Sequence, residues 1–305
     1  MSSYSASDLW SIVLMQGFSG LSLFSVLLLM ALGLAIIFGQ MGVINMAHGE
    51  FMAIGAYTTV MLSKIAVEHG FGSFYFLPAI LASFGAAFLA GYLVELGLIR
   101  YLYKRPLDTL LATWGLSLIM QQAFRSTFGA KEVSAELPEW LMGSFKPIQT
   151  VDIPINGVFV MGLTAVVCLG VFVFLFRSRW GLRARATSQN RVMAGAVGIN
   201  TKKADRVTFA LGCGIAGLAG AAFTTIASTG PTTGSLYIVD SFMVVVFGGA
   251  ASLIGTVMSA FGIAQAQSIL QFFMTSSMGK VATLLVIVAI LMLRPEGLFA
   301  AKVRR

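Results

Sequence analysis

Charge is what this sequence has least of. Asp, Glu, Lys and Arg make up 10% of its 305 residues, against about a quarter in a soluble globular domain. Hydrophobic residues reach 57%. So little polar surface cannot cover a chain of this length in water, which excludes a soluble enzyme, a disordered chain and a nucleic-acid-binding module. Cysteine is scarce as well. Cys168 and Cys213 both lie in apolar runs, so neither a disulfide framework nor a thiolate metal site is expected. With two histidines in all, there is no H-E-x-x-H, and G-x-S-x-G is missing too. Gly279-Lys280 is followed by Val281, and Met274 stands where a phosphate loop needs its first glycine. No catalytic residue, metal or cofactor is expected, and any ATP chemistry must belong to another chain. The first Lys or Arg is Lys64, so no cleavable signal with a positive start is expected.

What the chain has in abundance is apolar length. A membrane-crossing helix takes about 20 apolar residues. Gly and Pro punctuate runs at approximately 9–38, 51–65, 76–99, 109–128, 157–176, 207–226, 241–251, 254–273 and 281–293. This pattern predicts an all-α, polytopic membrane protein in which residues 1–305 form a single transmembrane domain. About eight to nine membrane helices are expected, some broken or re-entrant. The first run is too long for one crossing and is expected to begin as an interfacial segment that breaks near Gly17 or Gly20. The 241–251 run is short and reads as half a crossing, joined to the next through Gly248, Gly249 and Gly255.

The net charge of +8 is concentrated in loops. Arg100, Lys104 and Arg105 form one basic connection. Arg177, Arg179, Arg183, Arg185, Arg191, Lys202, Lys203 and Arg206 form a second, and Arg294, Lys302, Arg304 and Arg305 a third. Cytoplasmic loops collect Lys and Arg, so all three are expected inside, the large loop of about 178–206 and the C-terminus included. The loop of about 129–156 carries Glu132, Glu136, Glu139 and Asp152 against Lys131 and Lys146 and is expected outside. Asp8, Asp108 and Asp240 each precede an apolar run and read as helix N-caps.

Three stretches could carry function. The first is 39–50, Gly-Gln-Met-Gly-Val-Ile-Asn-Met-Ala-His-Gly-Glu, which interrupts two apolar runs. Irregular backbone at membrane depth survives only where protein or a water-filled cavity satisfies it. Asn45, His48 and Glu50 are therefore candidates for a broken helix lining a solute path; the plainer reading is a turn that satisfies itself. The second is in the large basic loop. Ser188 reads as an N-cap, a helix of two to three turns follows through Arg191, Ala194 and Gly195, and Gly198 takes the left-handed C′ position with Ile199 behind it. A helix so short needs a partner surface, either another protein or anionic lipid. The third is 109–125, where Thr113, Ser117 and Gln121 recur on one helical face beside Trp114 and Gln122. Such a stripe is either hydrogen-bonding glue between helices or a polar wall for a neutral solute.

These residues resemble a known family. Ala31-Leu-Gly-Leu-Ala-Ile-Ile-Phe-Gly, Gly42-Val-Ile-Asn-Met-Ala-His-Gly-Glu and Gly55-Ala-Tyr57 resemble the first membrane subunit of branched-chain amino-acid-type ABC importers. The Ala194 to Gly198-Ile-Asn-Thr segment and Phe242 to Gly255 fit the same family, from about residue 33 to 297. Arg105-Pro-Leu-Asp-Thr-Leu-Leu-Ala-Thr-Trp-Gly, Gln121-Gln122, Pro138-Glu-Trp140 and 238–246 resemble its urea-importing branch. The resemblance implies a second homologous permease, two cytoplasmic ATPases, a periplasmic solute-binding protein and a bacterial inner-membrane location. It also implies that the 188–198 helix couples to the ATPase, with Ala194 and Gly198 on its groove. One departure is Gln189-Asn190, which stands where many such permeases carry an acidic residue.

The leading expectation is thus a permease for urea or short amides, whose donors and acceptors a lining of Thr, Ser, Gln and Asn could satisfy. Branched-chain or other amino acids are the alternative solute. A passive channel is the alternative from another class; it would need neither ATPase nor coupling helix. A structural or receptor role would not require the glycine-rich breaks.

Overall fold

The computed structural model describes residues 6–70, 72–103, 105–148, 151–249, 252–294 and 297–298. Lys104 and the tail residues Lys302, Arg304 and Arg305 lie outside them. The helices among the described residues are α1 (Ala6–Met41), α2 (His48–Glu68), α3 (Phe76–Gly97), α4 (Pro106–Phe128), α5 (Ile155–Arg177), α6 (Arg179–Gln189), α7 (Arg191–Ala196), α8 (Thr201–Phe223), α9 (Thr233–Gly248), α10 (Leu253–Phe273) and α11 (Ser276–Leu293). Seven of them are long and apolar enough to cross a membrane: α1, α2, α3, α5, α8, α10 and α11. The sequence adds α4, of full length but with a polar face, and the shorter α9. The one sheet among the described residues is an antiparallel hairpin, β1 (Ser144–Ile148) with β2 (Val151–Pro154), inside the acidic loop.

Lipid offers no hydrophobic drive to hold apolar helices together, so van der Waals contact between small residues must do it. The sequence of α8, rich in glycine and alanine, supplies that contact. A Cβ at Gly217 would strike the side chain of Ala87 and the Ser83 carbonyl of α3, and one at Gly55 of α2 would strike the Gly217 backbone. Gly33 of α1 meets the backbone of Gly212 in the same way. The result is a core of α1, α2 and α3 around a buried α8, closed by aromatic contacts such as Phe51 edge-on to Phe209 at 6.3 Å.

α1 does not break at Gly17 or Gly20. It runs unbroken for 36 residues, about 54 Å at 1.5 Å per residue. α10 braces its first half. Gln16 donates to Ser268 Oγ at 2.8 Å, Gln265 to the Gly17 carbonyl at 3.4 Å, and Phe24 packs edge-on to Phe261. The helix needs no break where a second helix already satisfies the flanking polar groups. α9 begins eight residues ahead of the expected run, so Asp240 lies inside it and pairs with Lys280 at 3.5 Å rather than capping. Asp108 sits in the first turn of α4, paired with Arg105 at 3.4 Å; Arg105 itself holds the cap position.

The acidic loop and the 224–232 segment meet at one end of the bundle, where Val133 and Thr229 exchange backbone hydrogen bonds of 2.9 and 2.8 Å. The turn at 99–105, α6 and α7 gather at the other end.

Candidate functional site

α2 and α9 both start within the bundle, and their starts touch. A Cβ at Gly49 would fall on the Gly234 carbonyl, and one at Gly234 on the Gly49 carbonyl. Each helix start carries the positive end of its dipole, so two such ends converge here, with the His48, Glu50 and Thr233 amides closed by turn bonds to the Asn45, Ala47 and Gly230 carbonyls. Glu50 sits in the first turn of α2 and is fully buried. Its Oε1 accepts from Ser117 Oγ at 3.0 Å, Gln121 Nε2 at 2.9 Å and Ser235 Oγ at 3.2 Å. Gln121 Nε2 also reaches Ser117 Oγ at 3.0 Å and Ser235 Oγ at 2.7 Å, so its hydrogens are shared.

The expected stripe Thr113, Ser117 and Gln121 is thereby turned inward onto the 45–50 segment. Thr113 Oγ1 accepts from the Met46 amide at 3.1 Å and donates to the Thr109 carbonyl at 2.9 Å. Asn45 is buried, its Oδ1 accepting from the Ala47 amide at 3.1 Å. His48 is buried with Nε2 3.2 Å from the Met30 carbonyl. Trp114 and Gln122 are not part of this cluster. One residue further round α4, about 100° at 3.6 residues per turn, both are exposed, Trp114 by 53%.

Six buried side-chain atoms among the described residues lack a hydrogen-bond partner. Five are Gln40 Oε1, Asn45 Nδ2, His48 Nδ1, Glu50 Oε2 and the Tyr57 hydroxyl; the sixth is Thr229 Oγ1. Native proteins leave few such atoms, and here they concentrate between residues 40 and 57. Sequence reasoning placed Gln40 and Tyr57 in longer motifs without singling them out as site residues, and it did not name Ser235. Tyr57 stacks on Phe128 at 4.2 Å, and nothing local announces that. Ser235 follows the turn-forming Gly230-Pro231-Thr232, a helix-start signal that could have pointed to it.

At the other end, α7 is set between two asparagine caps rather than by Ser188, which lies in α6 and donates to the Arg185 carbonyl. Asn190 Oδ1 accepts from the Met193 amide, and Asn200 Oδ1 from the Lys203 amide, both at 3.0 Å. Gly198 has φ of +84°, and the Ile199 amide returns to the Ala194 carbonyl at 3.0 Å, the left-handed close expected from the sequence. Ala194 is buried against the body; Gly195 is exposed, as are Val192, Met193 and Val197. Arg191 pairs with Asp205 and lies over the Tyr103 ring. Tyr103 donates to Glu95 at 2.7 Å, and Arg206 Nε to the same carboxylate at 2.8 Å. Burial pushes the Tyr103 hydroxyl well above its ordinary pKa, and the bond to Glu95 adds to that.

A bundle with two helices starting in its interior, polar side chains gathered there, and a short capped helix at one end fits a membrane transport subunit. The chain belongs to the family described as branched-chain amino acid transport system / permease component, which matches residues 17–293. It is 26% identical over 296 residues to the high-affinity branched-chain amino acid transport system permease protein LivH of Salmonella typhimurium, covering 93% of this chain and 94% of that one. It is 26% identical over 302 residues to BraD of Pseudomonas aeruginosa, covering 93% and 95%. LivM of Salmonella typhimurium matches at 26% over 290 residues, 89% of this chain and 67% of LivM. No solved structure matches the chain. It is a transport subunit and not an enzyme.

Proposed function

We propose that the chain is one permease subunit of an ATP-driven importer for branched-chain amino acids, and that the Glu50 cluster lies on its solute path. The observation that carries the path is the concentration of unpaired buried polar atoms at 40–57. Donors and acceptors left without partners in the interior suit a segment that exchanges its bonds as solute or water passes. Asn45, His48, Glu50, Thr113, Ser117 and Gln121 are the lining on this reading; Trp114 and Gln122 face away in the single chain and are assigned to the contact with a second permease.

The amino-acid solute rests on the relatives, whose names specify branched-chain amino acids. Urea or short amides, expected from the 105–115 and 238–246 stretches, find no support among those names. Relatives named both LivH and LivM suit a heterologous permease pair. The remaining partners are two cytoplasmic ATPases docking on α7, with the exposed Ser188, Gly195 and Gly198 at that contact and the buried Ala194 and the Asp205-paired Arg191 holding α7 to the body instead of facing the groove, and a periplasmic solute-binding protein. The location is the inner membrane, multi-pass, with the 99–105 turn, α6, α7 and the C-terminus on the cytoplasmic side.

Uptake by the complete assembly in proteoliposomes tests this, with labelled leucine, urea and acetamide compared. Leucine accumulation that stops when ATP hydrolysis is ablated is expected. Urea accumulation in place of leucine would reassign the solute. Full-rate flux down a gradient without ATP hydrolysis would make the chain a passive channel.

A further inference from the structure

Beside α7 lies a cavity of about 740 Å³ between the 99–105 turn and the start of α8. Its charged lining is unbalanced. Arg100, Arg105, Arg191, Lys202 and Arg206 face two carboxylates, Glu95 and Asp205. Both carboxylates are buried and already committed, Glu95 to Arg206 and Asp205 to Arg191. Arg105 has Asp108 at its side. Arg100 and Lys202 have no carboxylate partner among the described residues; Arg100 lies on the Tyr101 ring. The basin therefore presents uncommitted positive charge at its rim, immediately next to the apolar ridge formed by Val192, Met193 and Val197, of which Val192 is 82% exposed.

We propose that this basin receives an acidic segment of the cytoplasmic ATPase, whose Asp or Glu side chains pair with Arg100 and Lys202 while its apolar groove covers the α7 ridge. This rests on the ABC-importer reading above. Charge complementarity argues for this occupant: a surplus of cations at a rim steers and orients an acidic partner, and the adjoining apolar ridge is surface that a protein groove takes out of water.

The test measures retention of the ATPase on the purified permease pair in detergent as salt is raised. Wild-type retention is expected to fall with salt. Arg100→Gln with Lys202→Gln should weaken it about five- to tenfold at low salt, the modest effect expected of exposed ion pairs, and should flatten the salt dependence. Val192→Ser with Met193→Ser should weaken it at every salt concentration and leave the dependence on salt intact. Retention of wild type that ignores salt, or a salt dependence unchanged in the Arg100/Lys202 variant, overturns the basin and leaves the importer reading standing. Salt dependence seen only when anionic lipid is added would give the basin to lipid and overturn it equally. No retention of any ATPase by wild type overturns both. Neither Arg100 nor Lys202 holds an ion pair among the described residues, so equal membrane yield of the variant is the folding control.

Discussion

The α8-centred core and α4 are held in the same protein by opposite means. In the core, backbone meets backbone: Gly33 on Gly212, Gly55 on Gly217, Met52 on Gly220. These contacts are close and leave no room for a side chain. α4 makes its attachments through side chains: Thr113 to Met46, Ser117 and Gln121 to Glu50, Gln121 to Ser235, with Tyr57 stacked against Phe124 and Phe128. Interhelical hydrogen bonds of this kind are worth about 0.6 kcal/mol each, and they exchange readily. The difference separates a frame that cannot yield locally from an element that can let go one bond at a time.

The largest effect is expected in the frame. Gly55→Val puts a branched side chain into the Gly217 backbone, where nothing can move aside; overpacking costs about 1–3 kcal/mol even where neighbours give. Little monodisperse protein should survive size-exclusion chromatography. A well-folded Gly55→Val protein would break the contrast at once. Next comes Glu50→Gln, which keeps the shape of the cluster and replaces its carboxyl group by an amide. Uptake should fall about tenfold or more, a loss of roughly 1.4 kcal/mol in the transport step, while the melting temperature moves by only a few degrees; a large drop in melting with unchanged flux per folded molecule would make Glu50 part of the frame.

Gly198→Val strains a left-handed residue, about 1–2 kcal/mol for an L side chain, in neither region. Membrane insertion should persist while uptake and solute-stimulated ATPase activity fall several-fold; normal uptake would dissociate α7 from pumping. Gln121→Leu and Thr113→Val each remove hydrogen bonds of α4 alone. Reduced flux with little change in melting is expected of a path, and the reverse of glue. Smallest of all, Trp114→Ala and Gln122→Leu should leave the melting of the isolated chain unaltered, since both side chains are exposed, and should register only in co-purification of a second permease.

Much of the frame was readable because apolar length and glycine punctuation are local properties. The runs at 76–99 and 254–273 fall within a residue or two of α3 and α10. The turn at 39–50 and the left-handed Gly198 were legible for the same reason: each is a departure from helix chemistry within a few residues. Thr113, Ser117 and Gln121 could be grouped from their four-residue spacing, and the same geometry shows why Trp114 and Gln122 diverge from them. What they would touch could not be read. Glu50 finds Ser235 across 185 residues of chain, and no spacing rule reaches so far. The continuity of α1 past Gly17 and Gly20 was hidden because it depends on α10, and Asp240 reads as a cap until Lys280 is seen beside it.

The meeting of Gly49 and Gly234 has a mechanical corollary. A constriction made of side chains can open by turning a rotamer. One closed by two bare backbones has nothing to swing away, so widening it requires α2 and α9 to part as whole rods. On the solute path proposed above, a closure at that point widens only as the two helices separate, so its width is set by the distance between them rather than by the size of any residue in its wall.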